Sequence, residues 1–543
     1  MRIGLYHGYE LTGSGSNEYN RYLSRALARR GHEVHVLCRE PSPEAVDHVD
    51  TAFEWDEHGH SKQRFERDVD QAGRCVVHIL PDASAKPVYL TDKQRSGNVK
   101  TFGALTEEER LEYHQLCVLT LSAILHQHPL HVLHANHLVY QPVVAAEACA
   151  QTGTPWIVFP HGSSIEYVLR QDARYLRLAH EALGRCDGLI SGNEEVRDRI
   201  AKLYPDLAPR LVTKTAIVGV GVDTSLFQPI TRPQRAQAAA SLAGLVHAFG
   251  KSRAVTRRWE ARIGAGQWEA MQDTVTEYDQ AKPDADLPNK LGQIDWEQPV
   301  LLFVGALTSG KGLQGLIAAM PALLERHPGT QLLIVGAGAY RETLEALVLA
   351  LSFQDEELLD HLVQNGFDLD CNDLSGAWPD VAAHLADPEH RRVLLEHGPK
   401  LRRRIHFLGR LEHDQLRHLF PCADLAVFPS VVPEAYPLVL MESLANGVLP
   451  VVSDFSGFAD GLRRLVPLLG EEWVDRMKIP IEPGPRVAAI TDRLDSLLRD
   501  ERLPALLPKL REIAVENFDW DIRAAQMEEA YLCLTSRESD PGV

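Results

Sequence analysis

The sequence predicts an α/β protein with two parallel-sheet domains that face each other across a cleft, and with two mainly helical insertions. Short apolar runs alternate with helical patterns along most of the chain, which is typical of parallel strands joined by helices. The alternation occurs in two series, one starting at Ile3 and one at Pro299. A chain of 543 residues exceeds the usual size of one hydrophobic core and suits two domains with insertions.

The first series predicts a domain over residues 1–228. Its opening strand is followed by a glycine-rich loop at residues 12–17, and a helix is predicted over Glu18–Arg30 with Gly31 as its cap. Helices are predicted to fill the gaps between the strands, as at Glu107–His126 and Tyr140–Gln151. The predicted strands are Ile3–His7, Glu33–Cys38, Cys75–Leu80, His131–His134, Trp156–Phe159, Gly188–Ser191 and Thr215–Val218.

The second series predicts a domain of the same kind over residues 295–517. In two such domains, the carboxyl ends of the strands form the expected ligand site. The predicted strands are Val300–Val304, Gln331–Val335, Ile405–Leu408, Leu425–Phe428 and Leu449–Ser453.

Two segments without a strand pattern are predicted to be helical insertions. Residues 231–293 are rich in Ala, Arg and Gln, and residues 351–402 are polar and end in a basic run. Solvated helical decoration is the simpler interpretation, and a role in assembly or acceptor choice is the alternative.

Composition excludes several classes of protein. The chain has 56 Lys and Arg against 75 Asp and Glu, a net charge of −19, so a nucleic-acid partner is not expected. No apolar run reaches the ~18–20 residues of a membrane span. The first residues resemble a strand more than a signal peptide. Eight scattered cysteines without a C-x-x-C pair favour buried thiols in a reducing cytoplasm.

A glycine-rich loop follows the first strand of the second series. Residues 305–312 have the spacing of a P-loop up to Lys311, but Gly312 replaces the Ser or Thr whose hydroxyl would hold Mg²⁺. The loop can still offer backbone N–H groups and a lysine to a phosphate. Phosphate binding without that metal site is the favoured interpretation, with a plain turn or an NTPase as alternatives. The later Gly336-Ala337-Gly338 is interpreted as a tight turn.

Several histidines occur near the ends of strands in the first series. His131, His134 and His137 are spaced by three, but side chains alternate along a strand, so no metal site is predicted. His161 stands beside Gly162 after the strand Trp156–Phe159, where it can either meet a ligand or serve the structure.

Two glutamates flank the start of a predicted helix at Leu438–Asn446. Glu434 lies in the preceding loop and Glu442 in the second helical turn, and Pro437 suits the first turn. Carboxylates so placed can hold hydroxyls of one ligand at two points, while the helix N-terminus takes its phosphate. The alternative is a capping glutamate and a solvated glutamate.

Together these motifs resemble the retaining glycosyltransferases of family 4, also called group 1, which have two Rossmann-like domains in the GT-B fold. The similarity covers most of the chain outside the two insertions and rests on the order and spacing of the motifs. They are Gly13–Ser16, His161-Gly162, Gly219–Asp223 with Phe227 and Pro229, the loop Gly305–Gly312, the pair Glu434 and Glu442, and Phe518-Asp519-Trp520 with Tyr531.

The resemblance implies a metal-independent hexosyltransferase that uses a nucleotide-sugar donor and no cofactor. It implies that His161 and Glu434 are catalytic and face the transferred sugar. The implied donor-binding residues are Gly13 and Gly15 at the diphosphate or acceptor, Lys311 and the N–H groups of Leu438 and Val439 at the diphosphate, and Glu442 at the ribose. It also implies that a C-terminal helix at 518–543 returns to the first domain.

Two departures from the family pattern weaken the expected hold on the diphosphate. Ala306 stands where the family often has Arg, and Pro437, which has no N–H, stands where Gly is common. The alternatives to a transferase are therefore a disaccharide phosphorylase of the same fold and a nucleotide-sugar-binding protein with little catalysis. The resemblance leaves open the nucleobase, the hexose and whether the acceptor is a small molecule, a saccharide or lipid-linked.

Overall fold

The structure is a computed structural model that describes residues 1–89, 98–246, 282–338, 340–368 and 374–535. The chain divides into two compact units. The first unit comprises the described residues up to Val222 and those from Asn517 onward, and the second comprises the described residues of Asp223–Glu516.

The first unit is built on a nine-stranded sheet with a separate pair of short strands. Its strands are β1 (Arg2–Tyr6), β2 (Glu33–Cys38), β3 (Thr51–Trp55), β4 (Ser61–Glu66), β5 (Arg74–Ile79), the short pair β6 (Lys86–Val88) and β7 (Val99–Thr101), β8 (Val132–Asn136), β9 (Trp156–Phe159), β10 (Gly188–Ser191) and β11 (Thr215–Ile217). The order is β11-β10-β9-β8-β1-β2-β5-β3-β4, and the β3–β4 pair alone among these is antiparallel.

Helices cover the faces of this sheet and include a π-helical turn at Ile165–Leu169. They are α1 (Gly15–Arg29), α2 (Glu107–Gln127), α3 (Gln141–Thr152), α4 (Gly162–Ser164), α5 (Ala173–Arg185), α6 (Glu194–Leu203) and α7 (Ala208–Thr213), with short 3₁₀ turns at Pro43–Ala45 and Phe102–Ala104. All seven strands predicted for this part of the chain are present, and their ends differ by at most two residues from the prediction.

The antiparallel hairpin over residues 51–66 corrects the prediction that helices fill every gap between the strands. Its outer strand β4 lies at the edge of the sheet and is almost wholly exposed, so its sequence is polar and shows no apolar run. The turn is organised by Asp56, whose carboxylate accepts the backbone N–H groups of His58 and His60 at 2.9 and 2.8 Å.

A buried histidine pair joins neighbouring strands of this sheet. The Trp55 indole donates to His78 Nδ1 at 3.1 Å, and His78 Nε2 lies 2.9 Å from His35 Nδ1. Because indole N–H only donates, His78 carries its proton on Nε2, and His35 carries its own on Nε2 toward Glu33 at 3.2 Å. Burial lowers the pKa of His35 to about 4 and that of His78 well below its ordinary value, so both rings are neutral.

The C-terminal segment packs on the first unit. Val222 N donates to the Phe518 carbonyl at 2.8 Å, and the Trp520 ring occupies the space where Gly221 has no Cβ. Tyr531 Oη lies 2.8 Å from His134 Nδ1 in the core. The helix here spans Trp520–Thr535, and residues 536–543 of the predicted C-terminal helix lie outside the described residues.

The second unit is built on a six-stranded parallel sheet with the order β14-β13-β12-β15-β16-β17. Chain order runs outward from β12 in one direction and from β15 in the other, so the topological switch point lies between these two strands. The strands are β12 (Val300–Val304), β13 (Gln331–Val335), β14 (Ile405–Gly409), β15 (Leu425–Phe428), β16 (Leu449–Ser453) and β17 (Lys478–Ile479). The five predicted strands are present, and β17 was not predicted.

The helices of the second unit include those of the segment 351–402, whose described residues lie in helices, turns and irregular loops. They are α8 (Arg235–Leu245), α9 (Leu287–Leu291), α10 (Leu313–Arg326), α11 (Arg341–Phe353), α12 (Glu356–Asn365), α13 (Pro379–Leu385), α14 (Pro388–His397), α15 (His413–Leu419), α16 (Leu438–Ala445), α17 (Ser456–Leu469), α18 (Glu471–Met477), α19 (Pro483–Leu498) and α20 (Leu503–Asn517), with 3₁₀ turns at Arg232–Gln234, Ser309–Lys311, Gly398–Arg403 and Phe420–Cys422. Most of the predicted insertion 231–293, residues 247–281, lies outside the described residues, as do residues 369–373.

The cysteines are mostly buried free thiols. Among those described, Cys533 is the exception to the predicted burial because it sits on an exposed part of the last helix, and Cys371 lies outside the described residues. Within the described ranges, no helix combines the length and the apolar character needed to cross a bilayer.

Candidate active site

Two loops meet at the switch point of the second sheet. The loop Gly305–Gly312 leaves the carboxyl end of β12, and the loop Pro429–Glu434 leaves the carboxyl end of β15. Val431 N donates to the Gly310 carbonyl at 2.8 Å, which ties one loop to the other. The predicted phosphate loop and the predicted sugar-binding glutamate are therefore neighbours at the place where α/β sheets bind ligands.

Lys311 and Glu434 form an ion pair across these loops. Lys311 Nζ lies 2.5 Å from Glu434 Oε1, and Ser430 Oγ donates to the same oxygen at 2.6 Å. Both donors use Oε1, and Glu434 Oε2 has no partner among the described residues. An ammonium group has three donors, so Lys311 keeps two N–H groups for a ligand.

Glu442 is on helix α16, after the loop that carries Glu434, and is 4% exposed. His413, the first residue of α15, places Nε2 3.3 Å from Glu442 Oε1, and the Phe227 ring meets the His413 ring edge-on at 5.4 Å. The two glutamates thus have different surroundings, since Glu434 is bound by a lysine and a serine and Glu442 by a histidine.

Glycine is required at the end of the phosphate loop. Gly312 has φ of +70°, and a Cβ added there would lie 1.9 Å from the Pro429 carbonyl oxygen. A Ser or Thr at this position would therefore collide with the neighbouring loop, which explains why the P-loop hydroxyl is missing.

The turn at Gly336-Ala337-Gly338 also supports the phosphate loop. A Cβ on Gly336 would lie 1.8 Å from the Gly305 carbonyl oxygen, and Leu307 N donates to the Ala337 carbonyl at 2.9 Å. These contacts agree with a tight turn, as the sequence predicts.

The start of helix α16 determines whether the backbone N–H groups of Leu438 and Val439 can bind a diphosphate, as the sequence predicts. Pro437 stands immediately before the helix and has no N–H, and Leu438 N already donates to the Tyr436 carbonyl at 3.0 Å. A phosphate would have to displace that carbonyl from Leu438. The neighbouring Val439 is the second residue of the helix.

In the first unit, His161 is held in one tautomer at the carboxyl end of β9. Its Nε2 lies 2.9 Å from Asn136 Oδ1. Asn136 Nδ2 donates to the Tyr6 carbonyl at 3.4 Å and to Asn20 Oδ1 at 2.9 Å, which fixes the orientation of the amide. His161 therefore carries its proton on Nε2. Burial lowers its pKa well below the ordinary value, so the ring is neutral.

More histidines surround His161 at the carboxyl ends of β1 and β8. The ring centroid of His137 lies 4.6 Å from that of His161 and 5.7 Å from that of His7. His137 is buried with φ of +69°, and neither of its ring nitrogens has a hydrogen-bond partner among the described residues. The Tyr89 ring also packs against His137, with the ring centroids 4.5 Å apart.

The predicted Gly13–Gly15 loop precedes helix α1 and is exposed. Gly13 has φ of +112°, and its N–H donates to Glu18 Oε1 at 3.3 Å. Ser14 caps the helix, of which Gly15 is the first residue. Within the described residues, no group of three His, Cys, Asp or Glu side chains is arranged to hold a metal ion.

Sequence reasoning missed three residues at the second-unit site, which are Ser430, His413 and Arg486. The guanidinium of Arg486 donates to the Pro429 and Ser430 carbonyls. Ser430 could have been found, because it follows a predicted strand end by two positions and precedes Glu434 by four. His413 and Arg486 carry no such signal. Each is distant in sequence from the glutamates, and Arg486 resembles a surface residue at the start of a helix.

Two family models match the chain. The model for the Glycosyl transferase 4-like domain matches residues 14–213, and the model for Glycosyl transferases group 1 matches residues 289–358 and 388–517. The matches include the second sheet, the loops of its site and all of the first sheet except its strands β1 and β11. The chain belongs to the group 1 glycosyltransferases and has their GT-B fold.

Curated relatives and solved structures agree with this assignment. The glycogen synthase of Mycobacterium tuberculosis is 28% identical over 246 residues, which is 44% of each chain. The phosphatidyl-myo-inositol mannosyltransferase of the same organism is 26% identical over 233 residues, 42% of this chain and 46% of that protein. The chain thus spans less than half the length of either relative.

Among solved structures, the sucrose-phosphate synthase of Thermosynechococcus elongatus superposes with a TM-score of 0.56. The superposition covers 98% of both chains at 18% sequence identity. This likeness shows the shared fold of the two proteins.

Proposed function

We propose that the protein is a retaining glycosyltransferase that moves a hexose from a nucleotide-diphosphate sugar to a small-molecule, saccharide or lipid-linked acceptor. The observation that carries the proposal is the Lys311–Glu434 pair at the switch point of the second sheet. It places a cation for a diphosphate beside a carboxylate for a sugar, which are the two ends of the bond that a glycosyltransferase breaks.

The donor roles follow from the contacts of each side chain. Lys311 keeps two N–H groups for the diphosphate while it holds Glu434. Glu434 Oε2 can accept hydroxyls of the transferred sugar. Glu442, buried on its own helix beside His413, takes the ribose hydroxyls. His161 keeps its predicted role toward the sugar as a neutral hydrogen-bonding group.

Departure of the diphosphate builds negative charge on it, and the sugar carbon becomes cation-like. Lys311 stabilises the first charge and Glu434 the second. We propose attack on the same face: the acceptor oxygen bonds to the sugar carbon, the bond from that carbon to the phosphate oxygen breaks, and the acceptor proton goes to that oxygen. The support is that Glu434 is bound by Lys311 and Ser430, which suits a fixed electrostatic partner better than a nucleophile.

Turnover is proposed to be independent of a metal ion. The support is the backbone at Gly312, where the Pro429 carbonyl leaves no room for a side chain with a metal-binding hydroxyl. In this proposal, Lys311 supplies the positive charge that Mg²⁺ supplies in P-loop enzymes.

The curated relatives support the reaction class by name. One is a glycogen synthase and another a phosphatidyl-myo-inositol mannosyltransferase. We propose a hexosyl donor on this basis, with the nucleobase to be found by binding.

The test begins with thermal shift against UDP, GDP, ADP and their hexose conjugates. A ligand at 100 times its Kd adds about 2.7 kcal/mol of stability to the protein. The donor found is then assayed for transfer with and without EDTA, and the anomeric configuration of the product is read by NMR. We expect transfer to proceed in the presence of EDTA, and we expect the product to keep the anomeric configuration of the donor.

Other outcomes would contradict the proposal. Cleavage of a disaccharide that requires inorganic phosphate would indicate a phosphorylase. Tight nucleotide binding without turnover of any donor would indicate a binding protein, and strict dependence on Mg²⁺ or Mn²⁺ would refute the metal-independent site.

A further inference from the structure

Arg486 is a buried cation next to the site. It lies on helix α19 and is 1% exposed. Its guanidinium donates to the carbonyls of Pro429 and Ser430 at 2.5 and 3.1 Å, and to Ser453 Oγ at 2.9 Å. Pro429 and Ser430 are the first two residues of the loop that ends at Glu434, so Arg486 is bound to the start of that loop.

The other acceptor of Arg486 belongs to a neighbouring strand end. Nη1 donates to the Pro480 carbonyl at 2.7 Å, and Ser453 Oγ in turn donates to the Ser430 carbonyl at 2.7 Å. The planar guanidinium thereby joins the carboxyl ends of β15, β16 and β17. Three of these acceptors contact Nη2 and the Pro480 carbonyl contacts Nη1, so both nitrogens of the fork are used, and a lysine ammonium has only one nitrogen.

The charge of Arg486 is balanced from the segment 351–402. Asp380 on helix α13 is 2% exposed, and its Oδ2 lies 3.7 Å from Arg486 Nε. Burial raises the pKa of Asp380 and lowers that of Arg486, and each opposes the shift of the other. Glu482 contributes more weakly to the field at Arg486.

The fold makes room for Asp380 beside the phosphate-loop helix. A Cβ on Gly315, in the first turn of α10, would lie 2.7 Å from Asp380 Oδ2. Trp378, fully buried, donates to Tyr340 Oη at 2.5 Å and anchors the start of α13. The group 1 family model leaves residues 359–387 unmatched, so Asp380 comes from a segment outside the family pattern.

We infer that Arg486 is a positioning residue for Glu434 and that the segment containing Asp380 braces the candidate donor site through it. Arg486 fixes the carbonyls of Pro429 and Ser430, and Ser430 holds Glu434. Asp380 acts on Arg486 by charge alone, since its Oδ2 lies 3.7 Å from Nε and makes no hydrogen bond to it. The inference rests on the proposed function, since it concerns the geometry of the same site.

The test compares Arg486→Lys and Asp380→Asn with Asp424→Asn. Asp424 is the matched control: it pairs with the buried Arg235 at 2.8 Å but lies at the amino end of β15, away from the site. Steady-state kinetics with the donor, Kd for the free nucleoside diphosphate, and Tm are measured for all four proteins, wild type included.

We expect Arg486→Lys to lower kcat by about 10- to 100-fold, because a 1 Å misplacement at a reacting centre can cost that much. Nucleoside-diphosphate Kd should change less than kcat does, since the free nucleotide lacks the sugar that Glu434 faces and Glu442 holds the ribose from its own helix. Asp380→Asn should also lower kcat more than it changes the nucleoside-diphosphate Kd, and its effect on kcat should be smaller than that of Arg486→Lys. The Asp424→Asn control should lower Tm and leave kcat unchanged.

The results that would overturn the role of Arg486 differ from those that would refute the proposed function. A wild-type protein without nucleotide binding or transfer would refute the function. An active wild type in which both variants lose Tm but keep kcat would overturn the inference. If these two variants do not fold, Ser453→Ala removes one acceptor of Arg486, and an unchanged kcat there would overturn it as well.

Discussion

Replacement of Gly312 tests the geometry of the phosphate loop most directly. An added Cβ would lie 1.9 Å from the Pro429 carbonyl oxygen, whereas real Cβ atoms keep at least 3.0 Å from such an atom. Gly312→Ala must therefore separate the two site loops by about 1 Å, a displacement that can lower catalysis about 100-fold. We expect a loss of that size in kcat/KM for the donor.

Gly153, which follows helix α3, provides the matched control for backbone strain. It has φ of +69° and ψ of +15°, against +70° and +16° for Gly312, but nothing lies within 4 Å of an added Cβ. Gly153→Ala should therefore cost only the left-handed backbone term of ~1–2 kcal/mol. Gly312→Ala carries a similar term and an overpacking term of ~1–3 kcal/mol.

Urea unfolding and initial-rate kinetics on the wild type and both variants decide the matter. Gly312→Ala should unfold at the lowest urea concentration and should alone lose activity. Equal unfolding midpoints and equal kinetics for the two variants would refute the argument, because the contact with Pro429 would then have no consequence.

Three further predictions concern single side chains. Glu442→Gln should raise donor KM with kcat little changed, because a ribose contact is similar in ground and transition states, whereas Glu434→Gln should lower kcat more than it raises KM. Steady-state kinetics would contradict this division if the two profiles were the same. Lys311→Ala should lower kcat/KM by about 10- to 150-fold, which corresponds to the loss of one charge-assisted hydrogen bond. Unchanged donor kinetics would indicate that the loop is only a turn and does not bind phosphate. The free energy of unfolding should fall as the pH drops from about 6.5 toward 4, by about 2 kcal/mol at pH 5 for His35 alone, because the unfolded chain binds a proton that the buried ring does not. Urea midpoints that agree at pH 7.5 and pH 5 would contradict that prediction.

Strands buried on both faces were predictable because they form continuous apolar runs. Leu425–Phe428 and Trp156–Phe159 are buried along their whole length, and their bounds match the prediction. The edge strand Ser61–Glu66 was not found, because exposed positions place no apolar requirement on the sequence. Burial, more than strand propensity, therefore governs which elements can be recognised in this chain.

Site residues were predictable where a motif marks them and not where only the fold brings them together. Lys311 and Glu434 stand 123 positions apart, and each has a recognisable loop, but their contact depends on β12 lying beside β15. Arg486 has no motif, since its acceptors are backbone carbonyls that leave no residue pattern. The effects of Ala306 and Pro437 on diphosphate binding likewise depend on the groups that surround them, so the sequence alone does not predict them.

The ion pair bears on how Lys311 can serve two partners. If the lysine had to leave Glu434 to bind a diphosphate, the part-buried carboxylate would lose its cation. That loss would cancel most of the free energy gained from the new contact with the diphosphate. The ammonium has three donors and Glu434 uses one, so in the proposed function the lysine can bridge Glu434 and the diphosphate at once. Its position is already fixed before the donor arrives, because Ser430 holds the same carboxylate oxygen. Under that proposal the second cation, which is absent because Ala306 stands in its place, is less necessary, since a single preoriented lysine would act at the bond that breaks. Lys311 and Glu434 consequently form one functional unit, and the energetic effects of replacing them should not add.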